Sequence, residues 1–255
     1  MDLEGATIIV TGGASGLGEA CIRQFVNKGA TAAIFDLDEQ RGKKIAAEVG
    51  DNALFCNTDV VDPGSVKASV NKVVDTFGAV HVVINCAGVG TPMKVIGKKG
   101  PMPMDRFSQV IMINLVGTMN VLSQAADKML RNAPNADGEK GVVINTASVA
   151  AFEGQIGQAA YSASKAGVVG MTLPIAREFA DYGIRVMTIA PGLFETPILA
   201  GLSENVKAAL AETIPFPKRL GLPGEFAQLA RQIIENPVLN GETIRLDAAL
   251  RMAAR

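Results

Sequence analysis

The chain has 255 residues, 48% of them hydrophobic and 19% charged, which excludes a disordered protein and allows a sizeable core. Its formal net charge of −1 argues against nucleic acid or a membrane surface as an electrostatic partner. Cys21, Cys56 and Cys86 have no close spacing and His81 is the single histidine, so neither a disulfide framework nor a metal site is expected.

No apolar run reaches ~18 residues and no charged-then-apolar leader opens the chain. A soluble, cytoplasmic protein is expected. His81 precedes the apolar run Val82-Val83-Ile84 and is expected in a strand-edge or core role, which leaves acid–base work to another residue type.

Residues 6–11 form a short β-branched apolar run, the pattern of a buried parallel strand. Thr11-Gly-Gly-Ala-Ser-Gly-Leu-Gly18 follows, then a helical pattern to about Lys28. Strand, glycine turn and helix form the context in which Gly12, Gly16 and Gly18 let the backbone approach a pyrophosphate at a helix N-terminus. A purely structural tight turn has a similar pattern. The second strand, Thr31–Asp36, ends in an acid about 20 residues beyond the glycine turn, where a carboxylate can accept adenosine ribose hydroxyls. Asp36 would repel a 2′-phosphate, and neither Ser15 nor Leu37 is basic, so NAD is favoured over NADP. The structural alternative is a cap on the helix beginning near Asp38.

Helix 38–49, a strand near 53–57, Asp59-Val60 and a helix from Pro63 to about Phe77 come next. A fourth strand, 80–85, runs into Cys86-Ala87-Gly88. Residues 89–104 interrupt the rhythm with prolines at 92, 101 and 103 and lysines at 94, 98 and 99; loops this long are functional or disordered. A long helix, about 105–131, is apolar nearly all round and is expected to be buried on more than one side, a subunit interface being one way to do so. Strand 142–146 ends at Ala147-Ser148, and strand 184–190 at Pro191-Gly192. A helix of about 158–182 lies between them, with Pro174 inside it. A variable region, about 193–222 and part helical, precedes a helix near 224–236 and a last strand, 243–247. The βα alternation without a linker argues for one α/β domain over residues 1–255, with substrate loops at about 89–104 and 193–222.

Tyr161-Ser-Ala-Ser-Lys165 lies on the helix between the fifth and sixth strands. Residues i and i+4 share a helix face, so Lys165 can sit near the Tyr161 phenol. A phenol has a pKa of about 10, and a fixed cation favours the phenolate. Reaching neutrality needs roughly 4 kcal/mol, more than one partly exposed lysine supplies. A second positive charge, such as an oxidised nicotinamide ring, is therefore expected nearby. The plain alternative is a half-buried tyrosine beside a surface lysine.

The glycine motif, Asn85-x-Ala87-Gly88, Ser148, Tyr161-x-x-x-Lys165 and Pro191-Gly192, in this order and at these separations, resemble the short-chain dehydrogenase/reductase family. The resemblance spans nearly the whole chain. It implies a Rossmann-like doubly wound parallel sheet of about seven strands with helices on both faces. Within the family, Gly141–Pro197, Ile233–Met252 and the loop with Lys98-Lys99-Gly100 look like the type II 3-hydroxyacyl-CoA dehydrogenases, also described as 17β-hydroxysteroid dehydrogenase type 10.

That resemblance implies roles. Tyr161 would be the general base and Lys165 would lower its pKa and hold the nicotinamide ribose. Ser148 would bond the substrate oxygen, and Asn114 would help hold a proton-relay water. Ser15, Leu17, Asp36, Asp59, Val60 and Cys86 match cofactor contacts, as do Gly12, Gly16, Gly18, Ala87, Gly88, Pro191, Phe194 and Thr196. Gln158 would meet the substrate. Lys98 and Lys99 would meet the phosphates of coenzyme A, although charge runs are usually solvated loop tips. The implied reaction is NAD-dependent oxidation of a short-chain 3-hydroxyacyl-CoA by a homotetramer. A hydroxysteroid or another secondary alcohol is the close alternative, and an NAD-sensing scaffold the non-enzymatic one. Departures from the family pattern stand at Cys86 (Asn expected), His81 (Asp), Ala248 (Gly) and Glu195 (Gly). The last bears on substrate preference.

Overall fold

Seven parallel strands run in the order β3-β2-β1-β4-β7-β8-β9 in a computed structural model that describes residues 1–98, 100–197 and 203–254. They are β1 (Thr7–Thr11), β2 (Thr31–Asp36), β3 (Ala53–Asn57), β4 (Val82–Asn85), β7 (Gly141–Thr146), β8 (Ile184–Pro191) and β9 (Thr243–Leu246). The order reverses between β1 and β4, whose ends pair in register at Thr11 and Asn85. Ligands bind open parallel sheets at such a switch point.

Every residue of β1, β4, β7 and β8 is buried, as their near-continuous apolar sequences require. Alternate side chains feed two cores. Ile8, Val10, Ile34, Ile84, Ile144 and Met187 face helices α1 (Gly16–Val26) and α8 (Pro223–Glu235) through Ile22, Phe25, Phe226 and Ile233. Ile9, Phe35, Val83, Val143 and Val186 face α3 (Pro63–Phe77), α5 (Gly117–Met129) and α6 (Ala159–Ala180). Each fully buried aliphatic side chain contributes about 1.5–3 kcal/mol.

His81 takes the expected strand-edge place. Its backbone joins the ladder with Thr7 and Val142, its Nδ1 accepts from the Thr7 N–H at 3.0 Å, and burial lowers its pKa. Asp38 caps α2 (Glu39–Val49), accepting from the Arg41 N–H at 2.9 Å, so Asp36 is not needed as the cap. Pro63 opens α3 as its position predicts, behind Asp62 as the cap. Pro174 lies within the 22-residue α6; Gly170, four residues earlier, is exposed, so water can reach the carbonyl that proline leaves without a partner.

Two expectations need correction. The long helix is not continuous: α4 (Met104–Ile111) passes into a π turn, Met112–Val116, before α5. Met112, Val116 and Met119 form an exposed stripe along it. The 89–104 segment is not irregular throughout: Ile96–Gly97 (β5) and Gly100–Pro101 (β6) form a small antiparallel hairpin. The second loop is anchored at its ends, since Phe194 bridges to Gly221 and Glu195 N–H donates to the Gly221 carbonyl at 2.9 Å. Its interior carries α7 (Glu204–Glu212). Among the described residues no helix is long and apolar enough to cross a membrane.

Candidate active site

Two adjoining cavities open at the carboxyl ends of the strands. The larger, about 570 Å³, is lined by the glycine turn (Gly12, Ser15, Gly16, Leu17, Gly18), Asp36, Asp59-Val60, Cys86-Ala87-Gly88 and Thr196. The smaller, about 370 Å³, is lined by Ser148, Gln158, Tyr161, Lys165, Pro191 and Phe194, and also by Gly90-Thr91-Pro92, Val149-Ala150 and Met252. Leu17, Cys86, Gly88 and Thr196 line both, so the cavities meet there. A third cavity, about 830 Å³ around Glu139, Tyr182 and Arg185, holds none of these residues.

The larger cavity fits a dinucleotide. A Cβ on Gly12 would lie 2.9 Å from Ala87 N, and one on Gly18 only 2.3 Å from the Gly12 carbonyl. These glycines therefore let the turn and α1 pack directly against neighbouring backbone. Ser15 is the N-cap of α1 yet makes no side-chain bond to its first turn, leaving those N–H groups for an anion. Asp36 Oδ2 accepts from the Ala14 N–H and Oδ1 from the Asp38 N–H, each at 3.0 Å. Each oxygen keeps a lone pair for a ribose hydroxyl. The expectation of no basic neighbour is corrected by Arg41, whose Nε donates to the Ala14 carbonyl at 3.0 Å and which pairs with Glu19 at 3.3 Å.

The Asn85–Gly88 turn is pinned to β1 by Cys86 N–H to the Thr11 carbonyl and Ala87 N–H to Thr11 Oγ1. Asn85 and Asn145 meet across β4 and β7 at 2.9 Å, both buried, with Asn85 Oδ1 and Asn145 Nδ2 left without partners. Asn114, in the π turn, accepts from the Val89 N–H at 2.8 Å and donates to the Val89 carbonyl and Ser164 Oγ at 3.0 Å. A Cβ on Gly88 would lie 3.2 Å from Asn114 Oδ1 and 3.5 Å from Lys165 Nζ, so these groups converge on one point.

Ser148 caps the 3-10 turn Val149–Ala151. Tyr161 and Lys165 project from α6 as their spacing predicts, with Nζ 5.9 Å from the ring centroid. Lys165 is buried, not partly exposed, and Nζ donates to the Thr146 carbonyl at 2.7 Å. Burial depresses its ammonium to about 8. The Tyr161 phenol is raised by burial, with a hydrogen bond from Ser148 pulling the other way. The expected lowering of Tyr161 by Lys165 is thus absent from the unliganded chain, because burial disfavours both charged forms.

Lys98 does not join these groups; it sits exposed at the hairpin tip and outside the walls of both cavities. Lys99 lies outside the described residues. Arg41, the Gly90–Pro92 wall and Met252 were missed by sequence reasoning. Their places depend on contacts made far along the chain, for which no local signal exists.

A switch-point glycine turn beside a Ser–Tyr–Lys cluster defines a nucleotide-dependent dehydrogenase, and the family described as short chain dehydrogenase matches residues 6–207. The chain belongs to that family, as an oxidoreductase. It is 52% identical over 252 residues to 3-hydroxyacyl-CoA dehydrogenase type-2 of Drosophila melanogaster, covering 98% of this chain and 99% of the relative. The crystal structure of 3-hydroxyacyl-CoA dehydrogenase type-2 from Mycobacterium avium superposes with a TM-score of 0.95 at 42% identity, over 98% of both chains. That of 3-ketoacyl-(acyl-carrier-protein) reductase from Brucella melitensis, complexed with NADH, does so with 0.87 at 26% identity, over 97% of this chain and 99% of that one.

Proposed function

We propose that this protein oxidises the 3-hydroxyl of a short-chain 3-hydroxyacyl-CoA to the 3-ketoacyl-CoA with NAD, Tyr161 acting as general base. The observation that carries the reading is the meeting of the two cavities at Cys86, Gly88 and Thr196, with Ser148, Tyr161 and Lys165 in the smaller one. The names of the Drosophila and Mycobacterium relatives supply the substrate class.

NAD would be held by the free α1 amides at its pyrophosphate and by Asp36 at its adenosine ribose, and when bound it supplies the hydride acceptor. The chain's own residues do the rest. Ser148 fixes the substrate oxygen and Tyr161 takes its proton. Lys165, tied to Thr146, holds positive charge beside the phenol, and the pair leaves room for a second positive charge from a bound oxidised nicotinamide, which would favour the phenolate further. Asn114 holds the Val89 backbone, and hence the loop that leads to the Gly90–Pro92 wall. Gln158 faces the substrate.

Lys98 and Lys99 are read as contacts for the CoA phosphates. The exposed Met112, Val116 and Met119 stripe supports a subunit contact within a homotetramer, which light scattering tests; a monomer would overturn it. The function is tested by NAD reduction with 3-hydroxybutyryl-CoA against steroid alcohols and simple secondary alcohols. Preferential turnover of the CoA ester is expected. NAD binding without turnover of any of them would make the protein a sensor, and preference for a steroid would replace the substrate class.

A further inference from the structure

Among the described residues, Met252 is the only one beyond Thr196 that lines the smaller cavity, at the end of the Ile233–Met252 stretch but with no site role read from the sequence. It arrives on the segment after β9, which must turn back sharply to reach the site. Ala248 and Ala249 make that turn with φ of 51° and 62°, a left-handed conformation unfavourable for residues other than glycine. Such a turn persists only where the surroundings hold it.

The holding group is Arg245. Its guanidinium donates to both Glu153 carboxylate oxygens at 2.7 Å. Its Nε donates to Asp247 Oδ2 at 2.7 Å and one terminal nitrogen to the Leu250 carbonyl at 3.2 Å. It also lies over the Phe152 ring, 5.1 Å from the centroid. Beyond Met252, Gln155 Nε2 donates to the Ala253 carbonyl and Ile156 N–H to the Ala254 carbonyl, both at 3.0 Å. The tail is therefore fastened on both sides of Met252 to residues 153–156, the segment that joins the Ser148 turn to the Tyr161 helix. A bidentate arginine fork is a rigid fastening; the methionine it delivers is an adaptable apolar wall.

We propose that Met252 determines the size of the acyl chain the cavity accepts, and that the Arg245–Glu153 pair is the positioning device that sets it there. This rests on the reading of the smaller cavity as the substrate site. If Met252 merely packed the tail, its replacement would alter stability without altering discrimination between substrates of different length.

The test compares specificity constants, with NAD, for 3-hydroxybutyryl-, 3-hydroxyhexanoyl- and 3-hydroxyoctanoyl-CoA, and in parallel for 2-butanol, 2-hexanol and 2-octanol. The variants are Met252→Ala, Met252→Phe and Arg245→Gln. Space for one further methylene changes discrimination by about tenfold or more. Met252→Ala should therefore raise the long-to-short ratio by at least that factor, and Met252→Phe should lower it. Arg245→Gln should move the ratio as Met252→Ala does, by releasing the tail, with the KM for NAD unchanged. Met252 is partly exposed, so both replacements should fold. Ratios unchanged in active Met252 variants overturn the proposal. Turnover of the alkanols but not of the CoA esters overturns the acyl-CoA reading alone, and the alkanol ratios then decide for Met252. Turnover of neither series by the unmutated protein overturns both.

Discussion

The Lys165 ammonium donates to the Thr146 carbonyl at 2.7 Å, so the cation of the site is anchored to the end of β7 while its charge stays buried next to Tyr161. That arrangement sacrifices stability for readiness to act. A depression from the ordinary 10.5 to about 8 corresponds to a cost of about 3 kcal/mol for the charged form. Loss of the Thr146 bond would offset about 1 kcal/mol.

Lys165→Met should therefore abolish most turnover yet stabilise the unliganded protein by about 1–2 kcal/mol at neutral pH. The folded-state pKa lies below the unfolded one, so the lysine's stability contribution is present above the unfolded value and is lost as pH falls towards about 8. The variant's advantage should accordingly be full below pH 8 and shrink as pH rises above it. Melting curves of both proteins across that window check this; a variant less stable than wild type at neutral pH removes the argument.

Tyr161→Phe removes one hydroxyl, so NAD binding should survive while turnover falls ~10²–10⁴-fold. The chain has two tyrosines and no tryptophan, and Tyr182 is half exposed, so phenolate absorbance can follow Tyr161 directly. Without ligand its transition should lie above that of an ordinary tyrosine, because burial raises it. With NAD bound it should move down, because a cation now faces it. A transition unmoved by NAD would take the second charge out of the mechanism.

Asp36→Ala should raise the KM for NAD and narrow the gap to NADP. Arg41, which like Asp36 is bonded to the Ala14 backbone, is then available as a cation for a 2′-phosphate. Adding Arg41→Ala should cancel the gain with NADP while leaving NAD kinetics near those of the single variant. Equal efficiency with both cofactors in the unmutated protein would end this assignment.

Lys98→Ala with Lys99→Ala should weaken acyl-CoA substrates, spare a small hydroxy ester lacking CoA, and flatten the salt dependence, since exposed charges are screened beyond ~10 Å at 0.1 M salt. The measurement is the specificity constant for both substrates at low and moderate salt. Equal losses would assign the hairpin to the fold or to gating of the cavity. No loss would place CoA elsewhere.

The sequence alone determined what short-range geometry decides. β-branched runs gave the strands. Glycine spacing gave the turn after the first strand, and four-residue spacing put Tyr161 and Lys165 on one helix face. The order of motifs carried the resemblance to the family, and the acid ending the second strand carried the expectation of NAD. Tertiary structure decided the rest, because it depends on which distant groups pack together. The apolar stretch 105–131 contains the π turn where Asn114 reaches Val89, which hydrophobic periodicity does not reveal. Arg41 reaches Ala14 across 27 residues and Arg245 reaches Glu153 across 92. The direction of the Tyr161 shift reversed for the same reason: spacing places a lysine beside a phenol, but only packing fixes how much water either one keeps.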